Sequence, residues 1–253
     1  RATQTTSASG IVASVSYAGL TTTSTTAYDV PGGGSASQSK TSVVNAFGHA
    51  ISVTDNNLKA VTTIYDAGGN LLSITGVDNQ TISTVFDDLG RKTSMNDPDK
   101  GQWSYTYNAL GELLTQTDAN GQKTVFHYDF MGRKTSRQDL TSVGTVAQDT
   151  SWGYGDEVSL TLNELGKLTS ESVDGMVRSY SFDSFGRLDT VTSTLDGNTF
   201  YQSTDYDQYG RVFKQFDAAG GVGANRYGIR MHYQNGYLHK QQEARDGDAG
   251  AIY

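Results

Sequence analysis

The residues best placed to do chemistry in this chain are carboxylates beside glycines. Asp97-Pro98-Asp99-Lys100-Gly101 and Asp246-Gly247-Asp248 each set two carboxylates near a glycine, as a Ca²⁺ loop would. Calcium takes about six or more oxygen ligands and neither stretch completes an EF-hand pattern, so turn chemistry is the simpler reading of both. The four histidines, His49, His127, His232 and His239, lack metal-ligand spacing. Serine, aspartate and histidine are all present, but no nucleophile elbow or other hydrolase signature joins them. Other Asp and Glu residues recur in repeated turns, which argues against one unique acid–base pair. No catalytic residue, cofactor ligand or metal ligand is assigned, and the chain reads as a non-enzyme.

A second set is aromatic. Trp103, Tyr105 and Tyr107 alternate along one strand face, as do Phe126 and Tyr128. Trp152 lies in Trp152-Gly153-Tyr154-Gly155. Exposed rings stack on sugars, and rings in a strand equally form core. Trp103, Tyr105, Tyr107 and Trp152 are the candidate glycan-binding residues. A third set is mainly basic: His49, Arg91, Arg133, Lys167, Arg187 and Arg211 each follow a glycine directly. Asp or Asn stands three residues before each of those glycines. Stacked, they make charge rows along one edge, either a solvated ladder worth about 0 to 1 kcal/mol per pair or a ligand-binding rim.

One repeated unit positions all three sets. It reads Tyr65-Asp66-Ala67-Gly68-Gly69, then Phe86-Asp87-Asp88-Leu89-Gly90, Tyr107-Asn108-Ala109-Leu110-Gly111 and Tyr128-Asp129-Phe130-Met131-Gly132, with glycines 21 residues apart. A fixed period marks a repeat architecture. Asp or Asn suits the first position of a type I turn and glycine the fourth. The Asp or Asn side chain bonds the backbone ahead of it, and glycine accepts positive φ. Asp66, Gly69, Asp87, Gly90, Asn108, Gly111, Asp129 and Gly132 are therefore structural turn residues. Between Gly90 and Gly111, Arg91–Asn96 is one strand, 97–101 a second turn and Gln102–Tyr107 the return strand. The unit is a β-hairpin with strands about 20 Å long.

Gly48 falls in the same register, and Gly166, Gly186, Gly210 and a shortened copy at Gly236 continue it unevenly. The extra length before Gly166 lies in Leu140–Glu157, a longer loop or an extended hairpin. Residues 43–253 thus form the repeat array. Residues 1–42, rich in Ser, Thr and Gly, form one or two irregular strands (near Ile11–Tyr17 and Leu20–Thr26) and a loop at Pro31–Gly34. Val44, Tyr65, Phe86, Tyr107, Tyr128, Leu162, Phe182 and Tyr206 make one column. Thr63, Thr84, Tyr105, Phe126, Leu160, Tyr180 and Thr204 join them on that face. Ser52, Ser73, Ser94, Thr115, Ser136, Ser170 and Thr190 make a column of small hydroxyls. The predicted fold is all-β: about nine tandem antiparallel hairpins, roughly 18 strands. That exceeds the ~10 strands an open sheet holds without curling, so a wide curved or spiralling sheet with a thin core is expected.

Composition agrees. Among 253 residues there are 29 glycines and 2 prolines, and no stretch keeps a helical apolar period. The net charge of −8 argues against nucleic acid, whose phosphates need a basic surface. There is no cysteine, hence no disulfide framework. No apolar run reaches membrane-spanning length and no signal peptide is evident. The abrupt ends at Arg1 and Tyr253 suggest a fragment.

The tandem Tyr-Asp-x-x-Gly-Arg pattern, densest over Thr84–Asp139, resembles the YD repeats of RHS proteins. These include bacterial polymorphic toxins, the B and C subunits of insecticidal Tc toxin complexes and, more distantly, the teneurins. The resemblance covers about residues 40–245, including Phe216–Tyr227 and Tyr233–Leu238. It implies a β-strand spiral closing as a hollow shell around a C-terminal effector, in a secreted or cell-surface bacterial protein. The implied partners are the rest of the shell and its cargo. The family's self-cleaving aspartyl protease has no matching motif here, so autoproteolysis is not carried over. The resemblance also brings carbohydrate binding or adhesion as the alternative function. Unpaired sheet edges tend to recruit other chains, so an edge-to-edge homodimer is a further expectation.

Overall fold

The computed structural model describes residues 3–6, 11–30, 33–155, 163–220 and 226–245. Pro31, Gly32, Leu160, Leu162 and the Asp246–Asp248 turn lie outside them. All regular structure among the described residues is strand, and no helix is long and apolar enough to cross a membrane.

The chain divides into two units, residues 1–122 and 123–253. The first holds β1 (Thr3–Thr6), β2 (Val12–Ala18), β3 (Thr21–Asp29), β4 (Ser35–Val44), β5 (Ala50–Thr54), β6 (Ala60–Tyr65), β7 (Leu71–Thr75), β8 (Thr81–Phe86), β9 (Lys92–Asp97), β10 (Gly101–Tyr107) and β11 (Leu113–Thr117). Each pairs antiparallel with the next in sequence. The second holds β12 (Lys123–Tyr128), β13 (Lys134–Leu140), β14 (Val146–Tyr154), β15 (Leu168–Val173), β16 (Met176–Phe182), β17 (Leu188–Leu195), β18 (Asn198–Tyr206), β19 (Val212–Gly220), β20 (Tyr227–Gln234) and β21 (Tyr237–Arg245). These too pair only as antiparallel sequence neighbours.

The expected hairpin array is therefore present, with 21 described strands rather than about 18. The surplus lies at the N-terminus. There the β-branched run Thr21–Thr26 lets β3 pair with β4 over nine residues without a register shift. β4 crosses the expected boundary at 42/43. Of the longer stretch Leu140–Glu157, the described part, to Gly155, contributes an extended hairpin, β13 to β14, closed by a turn at 141–145.

The turns fall at two ends of the strands. The repeat turns at Gly48, Gly69, Gly90 and Gly111 close one rim of the first unit, and those at Gly132, Gly166, Gly186 and Gly210 one rim of the second. A bulge beside these turns recurs, as between Val85 and Phe86 or Ser181 and Phe182, and strengthens the local twist. Turns on the opposite rims are more polar: Asp97–Gly101 and Asp118–Gln122 in the first unit, Asp174-Gly175 and Asp196-Gly197 in the second.

Alternation sets the two faces. On β10, Trp103, Tyr105 and Tyr107 are half-buried while Gln102, Ser104 and Thr106 are exposed. The hydroxyl column is a polar ladder: Thr106 and Thr115 hydroxyls lie 2.7 Å apart, and His127 Nδ1 lies 2.9 Å from Ser136 Oγ. The core is thin. Buried apolar residues among those described are Phe126, Phe216 and Ala244, and no large side chain is fully enclosed.

Candidate functional site

The feature that recurs is a clasp at each repeat turn. In the Asp87 turn, Gly90 N–H donates to Asp87 O and Asp87 N–H to Arg91 O, both at 2.9 Å. Gly90 sits at φ 75°, where a side chain would be strained. Asp87 Oδ1 accepts the N–H groups of Leu89 (3.0 Å) and Arg91 (2.9 Å), and Oδ2 accepts Arg91 Nε at 2.7 Å. Asp129–Arg133, Asp183–Arg187 and Asp207–Arg211 repeat the arrangement. Where the residue after glycine is not basic, the reach back survives: Asn70 Nδ2 donates to Asp66 and Asn108 Nδ2 to Glu112.

Each clasp also holds the next repeat. The Arg91 guanidinium lies 5.0 Å from the Tyr107 ring centre and donates to Asn108 O at 2.9 Å. Arg133 lies over Tyr154 at 4.3 Å, Arg187 over Tyr206 at 4.2 Å and Arg211 over Tyr233 at 4.2 Å. The tyrosine hydroxyl returns the contact: Tyr107 donates to Lys92 O, Tyr206 to Leu188 O and Tyr233 to Val212 O, at 2.8 to 2.9 Å. Lys167 over Phe182, with its ammonium donating to Gly186 O, is the version with lysine. The basic row is thus committed to its own turn and to the next hairpin. A charged donor to a carboxylate and a cation over a ring are worth more together than an exposed ion pair.

The electrostatics follow. Asp87 is held below the ordinary carboxylate range chiefly by the Arg91 backbone N–H, then by its side chain, against some desolvation. At Asp129, Asp183 and Asp207 desolvation is the largest influence and pushes upward, but the arginine bonds together outweigh it and the carboxyls are lowered. Asp66 is lowered first by the Asn70 side chain.

Of the four aromatic candidates, Trp103, Tyr105 and Tyr107 share one face of β10 in the first unit, and Trp152 lies on β14 in the second. Lys92 Nζ lies 4.6 Å from the Tyr105 ring centre and Arg91 stacks on Tyr107, so one face of each ring already has a cation. Trp103 Nε1 donates to Lys100 O at 3.3 Å. Trp152, half-buried on β14, pairs in register with Glu171 of β15. Glu171 Oε1 accepts from Arg178 (2.7 Å) and the Tyr180 hydroxyl (2.8 Å), and Arg178 Nε lies 3.3 Å from Ser193 Oγ. Burial first, then the Glu171 bond, pushes the Tyr180 hydroxyl upward. The sequence reading missed this cluster; the signal was Glu171 and Arg178 flanking a short Asp174-Gly175 hairpin, which sets them opposite each other. Asp97 is a turn cap, its Oδ1 accepting from Asp99 and Lys100 N–H. Among the described residues no group of three or more His, Asp or Glu could hold a metal ion.

Comparison with known proteins agrees with this geometry. Residues 86–121 and 107–142 match the RHS repeat family. The crystal structure of TcdB2-TccC3-TEV aligns with 98% of this chain at 15% identity and a TM-score of 0.57. That of TcdB2-TccC3-Cdc42 aligns with 96% at 16% identity and a TM-score of 0.55. The chain spans only 16% and 15% of their lengths, and at such identity the likeness is one of fold. No curated protein sequence matches the chain.

Proposed function

Since the chain is an RHS/YD-repeat protein, we propose that it serves as a section of shell wall that helps enclose a C-terminal toxin or effector outside the producing cell's cytoplasm, with no catalysis of its own. The observation that carries this reading is the clasp. Hairpin is bound to following hairpin by Arg187 over Tyr206 and Tyr206 to Leu188 O, then by Arg211 over Tyr233 and Tyr233 to Val212 O. A strip held this way is stiff along its length and needs no thick core. Its partners are the remaining wall and the cargo. The test is protease protection in the complete gene product: cargo should be digested far more slowly inside the assembled protein than when released by denaturant. Cargo cut at the free rate would refute the reading.

A second reading, glycan recognition, is favoured at one place. Trp152 supplies a ring, and the adjacent Glu171, Arg178 and Tyr180 supply the polar groups that fix a sugar's hydroxyls. Trp103, Tyr105 and Tyr107 have less to offer, because the two tyrosines already stack on cations. A glycan array should show saturable binding lost in Trp152→Ala and kept in Trp103→Ala. No binding by the folded chain would eliminate it.

A further inference from the structure

The repeat turns carry a second regularity that neither the clasp nor the wall reading uses. At seven of the nine repeat turns the residue just before the turn glycine is large, apolar and exposed: Phe47, Leu89 and Leu110 in the first unit, Met131, Leu165, Phe185 and Tyr209 in the second, with Gly68 and Asn235 the exceptions. Nothing in turn geometry asks for this, since that position accepts most residues. In the second unit Phe130 adds another ring, more than 100% exposed against 82% for Phe185 and 72% for Tyr209. Among the described residues the opposite rim of that unit has smaller apolar side chains at its turns, Val143 flanked by Val146 and Leu195 at the strand ends, beside Asp174-Gly175 and Asp196-Gly197.

Turn caps hold the backbone N–H groups of Met131, Phe185 and Tyr209, and the Phe185 and Tyr209 rings each lie against an arginine. Phe185 N–H is fixed by Asp183 Oδ1, and the Arg187 guanidinium lies between the Phe185 ring (5.0 Å) and the Tyr206 ring (4.2 Å). Arg211 stands likewise between Tyr209 (4.9 Å) and Tyr233 (4.2 Å). Rigid aromatic anchors lose little entropy on contact and are the usual hot spots of interfaces.

We propose that this apolar rim of the second unit is a self-complementary interface that takes the same rim of a second copy of this chain. Three observations select that occupant. The first is area: at about 150–250 Å² per aromatic side chain, the exposed tips offer on the order of 700 Å², close to the ~800 Å² per partner of a standard interface. The second is shape. Successive tips stand about 10 Å apart, two strand spacings, and one shallow, open depression of about 330 Å³ lies between the Gly166 and Gly186 turns, lined by Asn163, Lys167, Ser184, Phe185 and Gly186. A tip from an identical row, turned by a twofold axis, has a gap to enter, and its own gap receives a tip in return. The third is charge. The chain carries −8 overall, but on this rim Asp129, Asp183 and Asp207 are each neutralised by Arg133, Arg187 and Arg211, so like rims do not repel. This contact is through turn tips and differs from pairing of strand edges.

Sedimentation velocity of the intact chain over a concentration series tests it. A reversible monomer–dimer equilibrium is expected, with the triple variant Phe130→Ser, Phe185→Ser, Tyr209→Ser raising its Kd by about 30-fold or more, as loss of hot-spot side chains does. Circular dichroism of the variant checks that it remains folded. The chain has no cysteine, so a single Phe185→Cys gives an independent probe. Under mild oxidant it should form disulfide-linked dimers much faster than Asp196→Cys on the opposite rim. A monomer at every concentration, an unchanged Kd in the folded triple variant, or equal crosslinking at both positions would overturn the proposal. A solution monomer that instead floats with phosphatidylcholine vesicles through the same three side chains would also overturn it, naming a lipid surface as the occupant.

Discussion

The two rims of the hairpin strip are built from the same ingredients, aspartate and glycine, and yet do different work. On the repeat rim, Asp183 caps two backbone N–H groups and an arginine that reaches into the next hairpin. On the opposite rim, Asp174 and Asp196 occupy two-residue turns at φ 48° and 49°, a left-handed conformation that aspartate tolerates, and the following glycines are also at positive φ. The first kind of turn fixes a hairpin to the next through its arginine; in the second, Asp174 is joined to the preceding hairpin by a bond from a neutral side chain, its Oδ2 accepting Gln148 Nε2 at 2.9 Å. Aspartate caps backbone N–H groups on the opposite rim too, as at Asp118, so it is the arginine paired with the carboxylate that marks the joint.

Backbone substitutions should separate the rims most. Gly132, at φ 78°, closes a joint, so Gly132→Val should cost about 2 kcal/mol or more from left-handed strain. Asp196→Gly on the opposite rim should instead stabilise by a few tenths to about 1 kcal/mol by relieving φ 49°. Urea unfolding measures both, and equal destabilisation would erase the distinction.

Acid is the next lever. Asp66, Asp87, Asp129, Asp183 and Asp207 all have folded pKa values below their unfolded ones. The native state therefore binds fewer protons than the unfolded state, and stability rises with pH through that window. Their contribution is complete above the unfolded carboxylate value of about 4 and is lost as pH falls through the lower folded values. Changing the five to asparagine, which keeps an acceptor for the backbone, should flatten the fall in thermal midpoint between neutral and acidic pH. An unaltered pH profile would show that the joints do not depend on charge.

A smaller effect isolates the link between hairpins. Tyr206→Phe removes the donor to Leu188 O while leaving the ring under Arg187, and should cost about 1 kcal/mol. Smallest of all, Phe185→Ser should leave monomer stability within about 0.5 kcal/mol, as expected of an exposed tip. A large loss there would mean that the tip braces its own turn through Arg187.

Much of the joint was legible in the sequence. The glycine period and the aspartate three residues before it give turn type, hairpin length and face, because turn geometry restricts those positions. The cation after the glycine was visible only as a charge row. Its partner ring lies at variable distance along the chain, 16 residues from Arg91 to Tyr107 and 22 from Arg211 to Tyr233, so no fixed spacing announces it. The turn tips were legible as letters but not as a surface: turn chemistry leaves Leu89 and Phe185 unconstrained, and an apolar residue there reads equally as core. The Glu171–Arg178–Tyr180 cluster depended on cross-strand register, which the short hairpin at Asp174 sets only after folding.

Every described strand pair joins neighbours in sequence. The entropic cost of closing distant loops is consequently small, because every described strand partner belongs to the same or the adjacent hairpin. Such a strip can assemble progressively as it leaves a ribosome or a secretion channel, each hairpin docking on the one already formed. Whole repeats can likewise be gained or lost over evolutionary time, since removing one leaves two ends that fit each other as well as before.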